Sequence, residues 1–192
     1  YLNGGISWGS DGIVFVKAGG GAVVRVSPNG GTPETLVEVK SGEQAYGPQM
    51  LPGGQTVLLT VARTAAAADS NSGTIWDRAQ VVAQSLKAGT RQVLIDGGAD
   101  ARYLTPGRLV YARGGVLFAA AFDPRRVAVT GPSVPVLDGI GRSTTAATAQ
   151  VSVSETGTIV YVPGAVNPAA GQRDLGLIDT TGVTAPLKLP PA

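Results

Sequence analysis

The sequence predicts an all-β chain, a β-propeller built of about four blades, each a four-stranded antiparallel sheet. Three observations predict it. First, one short phrase recurs four times: an apolar or aromatic residue, a few turn formers, a glycine, then a strand-forming run. It reads Trp8-Gly-Ser-Asp-Gly12-Ile-Val-Phe15, Met50-Leu-Pro-Gly-Gly54-Gln-Thr-Val-Leu58, Leu104-Thr-Pro-Gly107-Arg-Leu-Val-Tyr111 and Val153-Ser-Glu-Thr-Gly157-Thr-Ile-Val-Tyr161. The phrase glycines stand 42, 53 and 50 residues apart, a period that suits propeller blades. Second, charged residues make up only 15% of the chain, against roughly 25% in ordinary globular domains. Third, 28 glycines punctuate short runs rich in Val, Ile, Leu and Thr, which is the composition of a sheet protein with many tight turns.

Each unit then resolves into strands and turns. In the first, Ile13 to Lys17 and Val23 to Val26 are joined through Gly19-Gly20-Gly21, and Pro28-Asn29-Gly30-Gly31 turns the chain into Thr35 to Val39. Asn-Gly between β-branched runs is a strong hairpin signal because both residues accept positive φ. The second unit offers Thr56 to Ala62, Gln80 to Gln84 and Gln92 to Ile95, interrupted by the longest loop, Arg63 to Asp77. Within that loop, Thr64 to Ala68 is an alanine run too short to nucleate a helix alone, so a mobile loop is expected. The third has Arg108 to Ala112, Val116 to Phe122 and Val134 to Leu137; the fourth has Thr158 to Val162, Leu175 to Asp179 and Val183 to Leu187. An inner strand precedes each phrase: Gly5 to Trp8, Gly47 to Met50, Ala101 to Leu104 and Gln150 to Val153. The blades are placed at residues 1–44, 45–98, 99–146 and 147–192 of a single propeller. Further polar loops are expected at Gly141 to Thr148 and Pro163 to Gln172.

Several chemistries are excluded or weakened by composition. The chain has no histidine and no cysteine, which removes thiolate catalysis, disulfides and sulfur-ligated metals. Gly5-Ile-Ser7-Trp-Gly9 matches the Gly-x-Ser-x-Gly elbow, but that chemistry needs a histidine base and a following helix. The aspartates Asp11, Asp77, Asp96, Asp100, Asp123, Asp138 and Asp179 mostly sit in turns, where Asp bonds its own backbone. Asp69-Ser-Asn71-Ser-Gly73 resembles the first half of a calcium loop and lacks the distal acid. No catalytic residue, metal site or cofactor is therefore assigned, and no enzymatic activity is expected of this chain. With 15 basic residues, 13 acidic ones and a net charge of +2, no basic stripe marks a nucleic-acid partner. No apolar run reaches the roughly 18 residues of a membrane span. The first residues, Tyr1-Leu2-Asn3, begin in mid-phrase, suggesting a piece of a longer polypeptide.

Beyond the phrase, Val81-Val-Ala-Gln-Ser-Leu86, Gly97-Gly-Ala-Asp-Ala-Arg-Tyr-Leu104, Leu109-Val-Tyr-Ala-Arg-Gly-Gly115, Val129-Thr-Gly-Pro132, Val134-Pro-Val-Leu137 and Thr156-Gly-Thr-Ile-Val-Tyr-Val-Pro-Gly164 carry a resemblance. The chain resembles the WD40-like, or TolB-like, β-propeller region found C-terminal to the kinase domain of many bacterial serine/threonine kinases. The resemblance implies a sensing or protein-docking module of a larger signalling protein on the extracytoplasmic side of a bacterial membrane. Related propellers also accompany peptidases, so a peptidase gating domain or a propeller glycosidase or lyase is the alternative. Propellers of this kind commonly close with six or more blades, so the four units here are expected either to close a tight ring of their own or to form a piece of a larger one with its end faces uncovered. They usually carry Asp before the phrase glycine; here only Asp11 does, with Gly53, Pro106 and Thr156 at the other positions.

Because inner strands line the central channel, the candidate ligand-binding residues are Trp8, Tyr46, Gln49, Asp100, Arg102, Tyr103 and Gln150. Arg102 would meet an acidic partner and the aromatics an apolar one, the partner itself being an undefined protein or small molecule. Phe15, Tyr111, Phe118, Phe122 and Tyr161 read instead as packing between blades. Uncovered blade faces at the two ends of the array make self-association a further expectation.

Overall fold

A computed structural model describes residues 4–63, 72–143, 147–154, 157–164, 175–178, 182 and 184–187. The helix candidate at Thr64 to Ala68, most of the half calcium loop from Asp69, the start at Tyr1 to Asn3 and most of the loop from Pro163 lie outside the described residues.

Four antiparallel sheets follow one another in chain order. The first contains β1 (Ile6–Gly9), β2 (Gly12–Val16), β3 (Ala22–Val26) and β4 (Glu34–Glu38). The second contains β5 (Glu43–Met50), β6 (Thr56–Arg63), β7 (Gln80–Ser85) and β8 (Arg91–Asp96), with a short helix α1 (Ser72–Asp77) between β6 and β7. The third joins β9 (Ala99–Leu104), β10 (Arg108–Arg113) and β11 (Val116–Asp123), whose far edge is shared by β12 (Ala128–Val129) and β13 (Val134–Leu137). The fourth contains β14 (Val151–Val153), β15 (Ile159–Tyr161), β16 (Leu175–Ile178) and β17 (Thr184–Leu187). Each is the up-and-down sheet of a propeller blade.

Three local differences from the sequence reading have physical reasons. Residues 72–77, expected as loop, form a helical turn, anchored by Trp76, which is only 6% exposed. Tertiary burial of one large ring here outweighs a weak local propensity. The inner strand of the second sheet starts at Glu43 and continues through a register shift between Tyr46 and Gln49, the two-against-one pairing of a β-bulge. In the third sheet the added strand β12 pairs with the end of β11.

The recurrent glycine has a structural cause. Gly12, Gly54, Gly107 and Gly157 all adopt positive φ, at 111°, 65°, 72° and 88°, the region that side chains resist. A Cβ at Gly12 would stand 2.7 Å from the carbonyl oxygen of Val26, and one at Gly107 would stand 3.0 Å from that of Phe122. In both sheets the turn thus leaves room for the last residues of the third strand.

Packing between sheets follows the two-residue period of the strands. On β6, Val57, Leu59 and Val61 meet Val14, Val16, Val23 and Val37 of the first sheet. The intervening Leu58 turns the other way, to Leu109, Tyr111 and Phe122 of the third. On β10 the alternation repeats: Leu109 and Tyr111 face the second sheet, while Val110 and Ala112 join Leu117, Ile140 and Ala149 beside β14 and β15. A strand buried on both faces favours apolar residues along its length, and β6 reads Val57-Leu-Leu-Thr-Val-Ala62 without polar alternation, Thr60 satisfying its hydroxyl by accepting the Asp100 N–H. Among the described elements the fourth sheet has no extensive packing against the first.

Near the axis the sheets approach by backbone. Gly47, at φ 56°, donates its N–H to the Gly4 carbonyl at 2.7 Å. A Cβ on Gly5 would come within 3.0 Å of the Gly47 backbone, and one on Gly47 within 2.9 Å of Arg102 Nη1. No side chain fits between the first two sheets there.

Candidate functional site: a cleft along the inner strands

The inner strands of all four sheets border a cleft of about 670 Å³. Its wall includes Ile6 and Trp8 of β1, Gln49 and Met50 of β5, Asp100, Arg102, Tyr103 and Leu104 of β9 and Val151 to Val153 of β14, with Asp11 and Pro52 contributed by the phrase turns. The phrase therefore does two things at once: it reverses the chain, and it brings its first residues to the rim of the cleft.

Of the seven residues expected at a binding surface, Trp8, Gln49, Asp100, Arg102 and Tyr103 lie on this wall. Their roles differ. Trp8 is 72% exposed, an unusual state for a large ring on a strand. Gln49 is committed to the fold: its Oε1 accepts from the Tyr103 N–H at 2.7 Å, and its Nε2 donates to the Tyr103 carbonyl at 3.2 Å. The side-chain amide thus copies a backbone ladder pair and fastens the second sheet to the third. Tyr103 packs its ring edge-on against Phe122, with centroids 5.9 Å apart.

Arg102 is also engaged. Its Nη1 donates to the Gly47 carbonyl at 2.7 Å and to the Ala101 carbonyl at 3.1 Å. Its Nη2 lies 3.0 Å from Asp100 Oδ1, without the alignment of a hydrogen bond, so this is a charge contact. Asp100 is buried, has φ 53°, and accepts from the Ala149 N–H through Oδ2 at 3.1 Å, while its own N–H donates to Thr60 Oγ1 at 3.0 Å. Burial pushes its carboxyl above the usual range, outweighing the opposing pull of Arg102, the Ala149 hydrogen bond and Arg142.

Tyr46 and Gln150 stand away from the cleft wall. The Tyr46 ring lies 5.8 Å from that of Trp76 and is buried with Ala62, Ala79, Ala99 and Ala147. Its hydroxyl is hydrogen-bonded to Thr148, and its pKa is raised by burial first and by the charge of Asp100 second. Gln150 is carried on the strand-like approach to β14, where its backbone N–H donates to the Gly141 carbonyl at 2.8 Å. The reason is shared: both residues precede the stretch of inner strand that faces the cleft.

At the opposite end of the sheets from the phrase turns lies a polar pair invisible in the sequence. Arg142, 3% exposed, is ion-paired with Asp77 at the end of α1, and Asp77 Oδ1 also accepts the Gly114 N–H at 2.9 Å. The partners are 65 positions apart, so no local pattern could have joined them. Among the described residues no group of His, Cys, Asp and Glu is arranged to hold a metal ion, and no helix is long and apolar enough to cross a membrane.

The sheets and their axial cleft define a β-propeller fold of TolB-like type. The fold is similar to TolB from Acinetobacter baumannii, with 19% identity over 95% of this chain and 42% of that one, at a TM-score of 0.63. It is similar also to a putative TolB from Agrobacterium tumefaciens, at 15% identity, a TM-score of 0.60, and coverage of 91% of this chain and 59% of that one. A puromycin-hydrolyzing peptidase of Mycobacterium tuberculosis matches at 15% identity and a TM-score of 0.54, over 96% of this chain and 38% of the peptidase. The chain thus spans well under two thirds of each of these proteins. No family model matches the sequence, and no curated protein matches it significantly.

Proposed function

We propose that this chain is a non-catalytic recognition module whose axial cleft receives a ligand or a segment of a partner protein. The observation that supports this reading is the cleft itself, about 670 Å³ and bordered by every sheet, with an exposed tryptophan on its wall. Such a volume falls within the range of ligand pockets, and the engaged side chains at its base hold its shape rather than offering a nucleophile or a general base. From the resemblance, the module belongs to a larger bacterial signalling protein such as a serine/threonine kinase, outside the cytoplasm. A gating propeller of a peptidase, or a propeller glycosidase or lyase, is the alternative; the gene context separates them, since a kinase domain upstream favours sensing and a hydrolase domain downstream favours gating.

The reading is tested by panning a random peptide library against the protein and counter-screening on Ser152→Trp, which places a large ring in the cleft. Selected peptides are expected to bind the parent and to be lost with the variant. Peptides indifferent to that substitution would overturn the cleft as the recognition surface.

A further inference from the structure

We propose that the Trp8 rim of the cleft is a seat for a positively charged side chain, a lysine or arginine on an extended peptide segment. The ring face of Trp8 and the carboxylate of Asp11 would hold it. The inference rests on the recognition reading above and supplies the chemistry of what is recognised.

Trp8 is the last large residue of β1 before the turn at Ser10 and Asp11, and both Trp8 and Asp11 line the cleft. The strand and its tight turn therefore present an aromatic face and a carboxylate from one hairpin end. An exposed indole attracts cations through its ring quadrupole, and an adjacent carboxylate adds direct charge attraction.

The charge balance of the wall selects the sign of the partner. Asp11, Asp100 and Arg102 are its charged residues. Arg102 and Asp100 offset one another, and the Arg102 Nη1 donor is already spent on the carbonyls of Gly47 and Ala101. The Nη1 edge of that guanidinium is thereby closed to an anionic ligand. Asp11 has no ion-pair partner among the described residues, and the nearby Arg25 is held by Glu34 through an Nε–Oε1 hydrogen bond of 2.7 Å. The uncompensated charge at the rim is therefore negative.

The remainder of the wall suits the stem of such a side chain. Ile6, Met50, Leu104 and Val151 offer apolar surface along which lysine or arginine methylenes lie while the charged head stays near water. The cleft is far larger than a lone ammonium ion, which favours a side chain carried on a peptide over a free amine.

The test uses three acetylated and amidated pentapeptides, Thr-Val-Xaa-Val-Thr, with Lys, Glu or Leu at the centre, titrated into isotopically labelled protein. The readout is the Trp8 indole N–H resonance, assigned with Trp8→Phe. The lysine peptide is expected to bind at least about fivefold more tightly than the leucine peptide, as ring and charge contributions at an exposed site allow. The glutamate peptide should bind more weakly than either. Asp11→Asn, a change within an exposed turn, should abolish the lysine advantage, and added salt should shrink it. Equal binding of all three peptides, a preference for glutamate, or a lysine advantage that survives Asp11→Asn overturns the cationic seat and leaves the cleft reading standing. If none of the three moves Trp8 while library-selected peptides bind, the seat is likewise overturned. Failure of both peptide sets overturns the two together.

Discussion

The two tryptophans of this chain sit in opposite conditions at two regions of the axis. Trp76 is 6% exposed and braced by Tyr46 and a ring of alanines, whereas Trp8 is 72% exposed on the cleft wall. On the Trp76 side, polar groups pair with one another, Tyr46 with Thr148 and Arg142 with Asp77, although Arg142 Nε is left without a hydrogen bond. Around Trp8 the ring and the Asp11 carboxylate have no such partners among the described residues. The contrast teaches that side chains at one end are committed to holding the sheets together, while at the other Trp8 and Asp11 are left exposed.

Substitution of the two rings gives the widest expected separation. Trp76→Ala removes a buried aromatic and is expected to cost about 4 kcal/mol of unfolding free energy, while Trp8→Ala should stay within about 0.5 kcal/mol. Urea denaturation of both variants measures the difference, and equal losses would erase the distinction between the two ends. Next in size is Asp77→Asn, which strands the Arg142 guanidinium without a counter-charge and is expected to cost about 3 kcal/mol in the same measurement. A loss no greater than that of a surface change would mean that this pair does not hold α1 to the neighbouring sheets.

The smallest effect sharpens the comparison through pH. The folded state holds the Asp100 carboxyl above the ordinary value of 3.8, so native protein binds this proton before unfolded chain does. As pH falls from above the raised value towards 3.8, this group therefore adds stability, and below 3.8 the gain levels off. Thermal melts of the parent and of Asp100→Asn should show the difference between them shifting in favour of the parent through that window. A difference that stays flat, or moves the other way, would show that Arg102 and Arg142 govern Asp100 more strongly than burial does.

The fold was largely legible in the sequence because its strongest constraint is local. A turn that needs positive φ selects glycine, and the strand that follows selects β-branched and aliphatic residues, so Gly12, Gly54, Gly107 and Gly157 announce the blades directly. The two-sided burial of β6 is likewise written in its run of Val, Leu and Ala, with Thr60 as the one polar residue between Val57 and Ala62. The site was legible only in outline. Inner-strand position was enough to bring Trp8, Gln49, Asp100, Arg102 and Tyr103 to one wall, but side-chain commitments were not readable. Gln49 binds the backbone of Tyr103, 54 positions away, and Arg102 reaches Gly47 across 55. Such long-range pairings leave no periodic trace. Helix α1 was missed for a related reason, since the burial of Trp76 against Tyr46 is a tertiary event that its own segment does not encode.

The glycine contact at the axis shapes more than one turn. Where Gly47 meets Gly4 and Gly5, the first two sheets are separated by main chain alone, while farther out Val14, Val16 and Val37 fill the gap with Val57, Leu59 and Val82. Thin at the centre and thick towards the perimeter, the pair behaves like two wedge-cut stones in an arch. The angle between these two sheets is then set by the bulk of the outer aliphatic layer, so that trimming those side chains would narrow the wedge and enlarging them would open it.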